Sequence, residues 1–467
     1  MSAAEPTSIR FGVGAALLTA SVLAASGAVA ASAAPPTVTN ATAVVPNCAW
    51  PVVTTATSAN VAYPDTNATY WTTPYRVEPN TRLVVSGNFP NARFMSFNSY
   101  DSSFGAFSRN GVKSAIIDFQ ITPNLGSLNP WQHNVAATSV RGDLRAGRKF
   151  RVNVSSRVPT RTPNTIPIAP AGTTPGSLGF LVMRVYLPKN ANFSAVPLPT
   201  ISVLSPSGTR TIAPCAPGQR TAPGTPNHNL PSDAAATMKQ LLAKLSTTGD
   251  SSSGPGPCQP PNCPPDLQFA RPPAATTNSV FPNSASAYVS ALFQPDPKMV
   301  VLVRALAPRT PARNPPGTQP VPWPSPRYQL RYFSLCNNIY RKPWPVVINK
   351  LPAGALDYGC RADNDTKLDR HGRFTYVVAA QSQQKLVSRW ADTTFVPTST
   401  KSAKDREVLI LRNMLSNSQF TNSALNAPEN NSAAGAAAAM GPYYPRAVAC
   451  PMSFYLMKGP DACFDKF

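Results

Sequence analysis

The sequence predicts an all-β protein: two tandem antiparallel β-sandwiches of jelly-roll type, joined by a proline-rich linker that carries one short helix. Three observations predict it. Short β-branched or aromatic runs bounded by Pro, Gly or Asn recur along the chain. Regular helical patterns between these runs are missing, which points to antiparallel rather than βαβ architecture. The chain also repeats itself: Tyr63-Pro64-Asp65-Thr66-Asn67-Ala68-Thr69-Tyr70 returns as Phe281-Pro282-Asn283-Ser284-Ala285-Ser286-Ala287-Tyr288, and further matches follow in the same order.

Taken in order, residues 1–33 read as a secretory signal peptide. Arg10 precedes an apolar run from Phe11 to Ala25, and small residues around Ala30 and Ala33 offer a cleavage site. The run is short for a membrane span, and no later stretch is a transmembrane candidate. Residues 34–46 form a leader. The first sandwich is expected over 47–222, with strands around 81–87, 93–97, 149–154 and 180–186. Residues 223–275 are the linker, in which Ser232 or Asp233 caps a helix whose Met238, Leu241, Leu242 and Leu245 share one face. The second sandwich covers 276–467, with strands around 298–303, 331–335, 373–378 and 408–412. Its alanine-rich stretch from Asn430 to Met440, bordered by Pro428 and Pro442, reads as a loop insertion. Each copy is long enough to bury a core of its own.

Eight cysteines follow the signal: Cys48, Cys215, Cys258, Cys263, Cys336, Cys360, Cys450 and Cys463. An even count after an export signal indicates four disulfides. Cys48 with Cys215, which bracket the first copy, and Cys336 with Cys360, on neighbouring strands, are the expected pairs; the other four pair among themselves. The proline-rich Cys258-x4-Cys263 spacing lacks histidine and does not read as a metal site. No metal or cofactor is implied.

The chain holds 42 Lys and Arg against 20 Asp and Glu, a formal charge of +22. Such a field favours polyanions, foremost an acidic polysaccharide or cell-wall polymer. The charges are scattered singly without aromatic interleaving, which disfavours nucleic acid and is equally compatible with a solubilising surface.

Three polar positions recur between the copies: Arg93 with Arg331, Asp118 with Asp357, and Arg184 with Arg412. All sit among apolar residues, where a lone charge is costly. An Arg–Asp ion pair inside each sandwich is one explanation. A cleft whose arginine fork clasps a carboxylate, sulfate or phosphate is the other.

Other constellations are weaker. Asp357, Asp363, Asp365 and Asp369 suggest calcium, but Arg361, Lys367 and Arg370 interleave, and Asp369-Arg370-His371-Gly372 reads as a turn. Of His133, His228 and His371, only His133, beside Trp131, is a plausible site residue, and no nucleophile motif accompanies it. Asp101 reads as a turn residue. Tyr70, Trp71, Tyr75, Trp323, Trp344 and Trp390 offer either core packing or stacking faces for sugars. Sequons begin at Asn40, Asn67, Asn153, Asn192, Asn364 and Asn430.

Arg93-Phe94-Met95-Ser96-Phe97, Ile117-Asp118-Phe119 and the run through Gly179, Phe180, Arg184, Tyr186, Pro188 and Lys189 resemble the secreted β-sandwich proteins that carry the uncharacterised domain of unknown function 1214. The resemblance covers parts of both copies and is strongest from about Arg93 to Pro199. The second copy departs from it, with Asn413 and Met414 in place of Val185 and Tyr186 and no Pro-Lys step. It implies a sandwich architecture and export, and no catalytic residue. The chain is therefore expected to be a secreted, noncatalytic extracellular or wall-associated protein that binds anionic polysaccharide through basic faces. The competing class is a carbohydrate-active enzyme with an acidic pair in one sandwich.

Overall fold

The computed structural model describes residues 45–133, 147–159, 162–246, 266–273, 281–313, 320–401 and 405–467. The signal peptide, most of the leader, Asn40, Cys258, Cys263 and most of the linker beyond the helix lie outside the described residues. The chain is all-β, as its pattern predicts, and the described residues form one compact unit.

The first half contributes β1 (Val52–Thr54), β2 (Ala68–Arg76), β3 (Arg82–Asn88), β4 (Ala92–Tyr100), β5 (Ser108–Arg109), β6 (Val112–Lys113), β7 (Ala115–Ile117), β8 (Lys149–Ser155), β9 (Thr165–Pro167), β10 (Leu178–Pro188), β11 (Thr200–Ser205) and β12 (Gly208–Ile212). They form two sheets, ordered β1-β2-β10-β4-β7 and β12-β11-β3-β8-β9, with β5 and β6 as a separate hairpin. Helix α1 (Ser232–Ser246) follows, where the linker pattern predicts it. The second half contributes β13 (Ser286–Phe293), β14 (Met299–Leu306), β15 (Leu330–Ile339), β16 (Ile348–Lys350), β17 (Leu356–Tyr358), β18 (Cys360–Ala362), β19 (Arg373–Ala379), α2 (Gln384–Val387), β20 (Thr393–Pro397), β21 (Glu407–Ser416), α3 (Ala433–Met440), β22 (Arg446–Pro451) and α4 (Met452–Lys466). Its sheets run β13-β21-β15-β18 and β20-β19-β14-β22, with β16–β17 as a hairpin.

The two halves repeat one topology. β2-β10-β4-β7 matches β13-β21-β15-β18, and β11-β3-β8-β9 matches β22-β14-β19-β20, including a parallel pair at the same place, β8 with β9 and β19 with β20. The first half adds β1 and β12 as edge strands.

Period-2 alternation decides what each strand buries. In β10, Leu181, Met183 and Val185 point into a core shared with Leu83, Val152 and Ile201 of the opposite sheet. The intervening Val182, Arg184 and Tyr186 point the other way. There they meet the second half: Phe94 and Tyr186 join Tyr332, Ala362 and Met414 in one cluster. The face that would be solvated in an isolated sandwich is thus a second buried layer. This explains why β4 and β15 carry continuous apolar and polar-buried runs instead of clean alternation.

Cys48 is bonded to Cys215, Cys336 to Cys360, and Cys450 to Cys463. The stretch read as a loop insertion is instead the helix α3. Alanine has the highest helix propensity, Ser432 caps the first turn by accepting the Gly435 N–H at 2.9 Å, and Gly441 ends it at φ 53°.

Glu407, at the start of β21, is fully buried and accepts the Ser399 N–H at 2.7 Å and an Asn337 amide at 2.5 Å. Burial pushes its carboxyl up to about 7, against these hydrogen bonds. Because the folded value lies above the unfolded one, the stabilising contribution is complete below about pH 4.3 and is lost as pH rises towards 7. Stability should therefore fall by up to about 3 kcal/mol across that window, and Glu407→Gln should flatten the slope. Urea denaturation of both proteins over the window checks this; parallel pH profiles would refute it.

Candidate functional site

The recurring arginines and aspartates do come together, but not within each half. Arg331 Nη1 donates to Asp118 Oδ1 at 2.5 Å, and Arg93 Nη1 donates to Asp363 Oδ2 at 2.7 Å. Both pairs cross between the halves. All four side chains are at most 1% exposed. The expectation of one ion pair inside each sandwich is corrected accordingly: the pairs are exchanged.

Strand register also corrects one correspondence. Ser96 faces Ile117 in the first half as Ser334 faces Ala362 in the second. The residue after each is Asp118 and Asp363, so Asp363, not Asp357, is the partner copy of Asp118. Asp357 belongs to the β16–β17 hairpin and binds Arg361 at 2.8 Å. Two more of the aspartates grouped as calcium ligands are paired with arginines: Asp363 with Arg93 and Asp369 with Arg373 at 2.9 Å.

Burial raises the Asp118 carboxyl despite Arg331 and two backbone N–H donors, and lowers the Arg331 guanidinium despite Asp118. Desolvation therefore weakens both charges of this pair. Arg331 also lies over Trp323 at 5.1 Å and Phe119 at 5.6 Å.

The Arg184 and Arg412 positions are equivalent too, since each faces a serine of the neighbouring strand, Ser96 and Ser334. Each reaches into the repeated motif of the other half. Arg412 Nη1 donates to Asp65 Oδ2 at 2.6 Å and Nη2 to the Tyr63 carbonyl at 3.3 Å. Arg184 donates to the carbonyls of Phe281 and, at 3.3 Å, Pro282. The segment that revealed the duplication is thus the handle by which each half grips the other. Tyr63 and Phe281 share the same left-handed φ of 56° there.

Asp65 is the more elaborate end. Its Oδ2 also accepts the Tyr332 hydroxyl at 2.7 Å and the Ser334 hydroxyl at 2.8 Å, while Oδ1 accepts the Asn67 N–H at 3.0 Å. Burial opposes its charge, but Arg412 and these donors outweigh burial and hold the carboxyl below its ordinary value. Arg412 is in turn raised: burial works against its charge, and the Asp65 carboxylate more than offsets it.

Between the two grips lies a cavity of about 370 Å³. Its walls come from both halves and from α1. Arg184 and Arg412 line it, as do Tyr63, Tyr70, Tyr186 and Tyr288. Val52, Phe104, Val182, Met238, Leu241 and Leu242 make the apolar part. Arg271 and Glu429 lie on its wall as an ion pair. Glu429 is the sole acid on that wall among the described residues.

The remaining candidates fall elsewhere. His133 is exposed and contacts the Pro324 carbonyl. Asp101 closes a turn, accepting the N–H groups of Ser103 and Gly105 at 2.9 Å. Trp71, Tyr75, Trp323 and Trp344 are buried packing residues, Trp390 is partly buried against Gly459, and only Tyr70 of the aromatic candidates reaches the cavity. Asp65 escaped the sequence as a site residue, and Asp363 entered it only in the weak calcium grouping, not as a partner of an arginine. The signal that could have found Asp65 is its place inside the repeated motif.

No family model matches this chain, and no curated protein does. Among solved structures it is similar to an uncharacterised protein from Burkholderia cenocepacia, at 12% identity over 87% of this chain and 82% of that one, with a TM-score of 0.43. It is also similar to the VPA0106 protein from Vibrio parahaemolyticus, at 11% identity over 82% of this chain and 88% of that one, with a TM-score of 0.34.

Proposed function

We propose that this chain is an exported, noncatalytic binding protein that takes a small, largely apolar ligand into the cavity between its halves. The cavity itself carries the reading. A concave site of a few hundred Å³, apolar in most of its wall and set with a few convergent polar groups, is the usual form of a small-molecule site. Export is supported by the signal-peptide pattern and the disulfides; no helix among the described residues is long and apolar enough to cross a membrane. The resemblance to proteins with the domain of unknown function 1214 is part of this proposal.

Binding of anionic wall polysaccharide through the residues put forward from sequence is less well supported. Arg93, Asp118, Arg184, Arg331 and Arg412 are buried, and Asp357 is half-buried against Arg361. Contact with a polymer would fall to other basic side chains. A glycosidase needs two usable carboxylates, and Glu429, the one acid on the cavity wall among the described residues, is tied to Arg271.

A ligand at a hundredfold excess over its Kd should add about 2.7 kcal/mol of stability. Thermal unfolding against a panel of amphiphiles, sugars and wall oligosaccharides should find at least one stabiliser. Thr54→Trp, which places an indole on the cavity wall, should abolish that stabilisation. Stabilisation by oligosaccharides alone, unchanged in Thr54→Trp, would overturn the proposal.

A further inference from the structure

The two grips are copies of one design, and they differ in charge. At one end, Arg412 meets the Asp65 carboxylate. At the other, the residue in the place of Asp65 is Asn283, and Arg184 meets no carboxylate among the described residues. The second difference has the same sense: Tyr332, whose hydroxyl serves Asp65, is replaced in the first half by Phe94.

The geometry of Asn283 sharpens the contrast. Its Oδ1 accepts the Ala285 N–H at 3.1 Å, as Asp65 Oδ1 accepts the Asn67 N–H. That leaves Nδ2, a donor, where Asp65 presents the oxygen that takes Arg412. Among the described residues, Asn283 Nδ2 has no hydrogen-bond partner, and neither has Arg184 Nε. Tyr63, which lines the same cavity, also keeps a buried hydroxyl unpartnered. Arg184 is 1% exposed, lying over Tyr70 at 5.6 Å and Tyr100 at 5.7 Å. A buried guanidinium without a counter-charge, beside unpartnered donors, is an arrangement that proteins avoid unless an anion completes it.

We propose that the cavity ligand is an anionic amphiphile. Its oxyanion head sits against Arg184 and Asn283, supplying the negative charge that Asp65 supplies at the other grip, and its apolar body lies along Val182, Phe104, Met238 and Leu241. The inference rests on the cavity reading above and names its ligand class. Arg412 and Arg271 are neutralised by Asp65 and Glu429, so among the described residues Arg184 is the one cation on the wall left to answer, and a single negative charge balances it.

The test is titration of the full chain with decanoate, decyl sulfate, decanol and acetate, followed by calorimetry and thermal unfolding, in the wild type and in Asn283→Asp. Decanoate or decyl sulfate should bind at least about tenfold tighter than decanol, the range expected for hydrogen bonds to a charged group. Acetate should bind far more weakly than either. Asn283→Asp supplies the missing carboxylate from within; it should raise the melting temperature and erase the preference for the anion while leaving decanol binding in place. Should that variant fail to fold, Arg184→Gln should erase the same preference. Decanol binding as tightly as decanoate would overturn the anionic head and leave the cavity reading intact. Acetate matching decanoate would overturn the amphiphile. Binding of none of the four would overturn the inference together with the reading it rests on.

Discussion

Asp65→Ala is expected to destabilise the protein by about 3–5 kcal/mol, because removing one partner of a buried pair strands the other charge. Five donors converge on this carboxylate, and the cation left behind would be Arg412, 8% exposed. The loss should act between the halves, since Asp65 belongs to one and Arg412, Tyr332 and Ser334 to the other. Calorimetry should show the unfolding transition broadening towards two steps. Asp65→Ala with Arg412→Met should recover much of the loss, because exchanging both members of a buried pair for apolar groups is often near neutral. A single variant within about 0.5 kcal/mol of wild type, the range of ordinary surface changes, would refute the central role of this carboxylate.

Loss of the Cys48–Cys215 bridge should cost up to about 5 kcal/mol, against about 3 for Cys450–Cys463, if loop closure in the unfolded chain dominates. The separations are 167 and 13 residues. The first bridge closes the first half: the Ala49 N–H donates to the Ala213 carbonyl and the Cys215 N–H to the Ala49 carbonyl, both at 2.8 Å, and Trp50 Nε1 donates to the Pro199 carbonyl at 2.7 Å. Paired Cys→Ala variants, compared by denaturant midpoint at constant m-value, decide the order. A smaller loss for the long loop would show that native packing, not chain entropy, sets the effect.

The strands were legible because their runs are short, β-branched or aromatic, and bounded by Pro, Gly or Asn. The duplication was legible because Tyr63–Tyr70 and Phe281–Tyr288 still resemble one another. The exchange of ion pairs was not. In a duplicated chain, Arg93 paired with Asp118 and Arg93 paired with Asp363 leave the same trace in sequence, and only the packing of one inner sheet on the other separates them. Asp357 misled for a related reason: it follows Arg331 at nearly the spacing at which Asp118 follows Arg93, while the inserted β16–β17 hairpin carries the true counterpart further along. The alanine run of α3 was obscured by its flanking prolines, although propensity and the Ser432 cap both favour a helix. Asn283 was visible as a drifted letter in the motif, but its consequence required Arg184 to be placed beside it.

The covalent joining of the halves has a bearing on what the molecule is able to become. Two separate copies meeting about a twofold axis would present isologous surfaces, so any residue altered at one grip would be altered at both. Fused in one chain, the grips vary independently. Asp65 and Asn283 are such a divergence: one locks its arginine with a built-in carboxylate, and the other leaves its arginine unanswered. The tether thus does more than hold two halves together, for it frees one of two equivalent joints from the duty of being a joint.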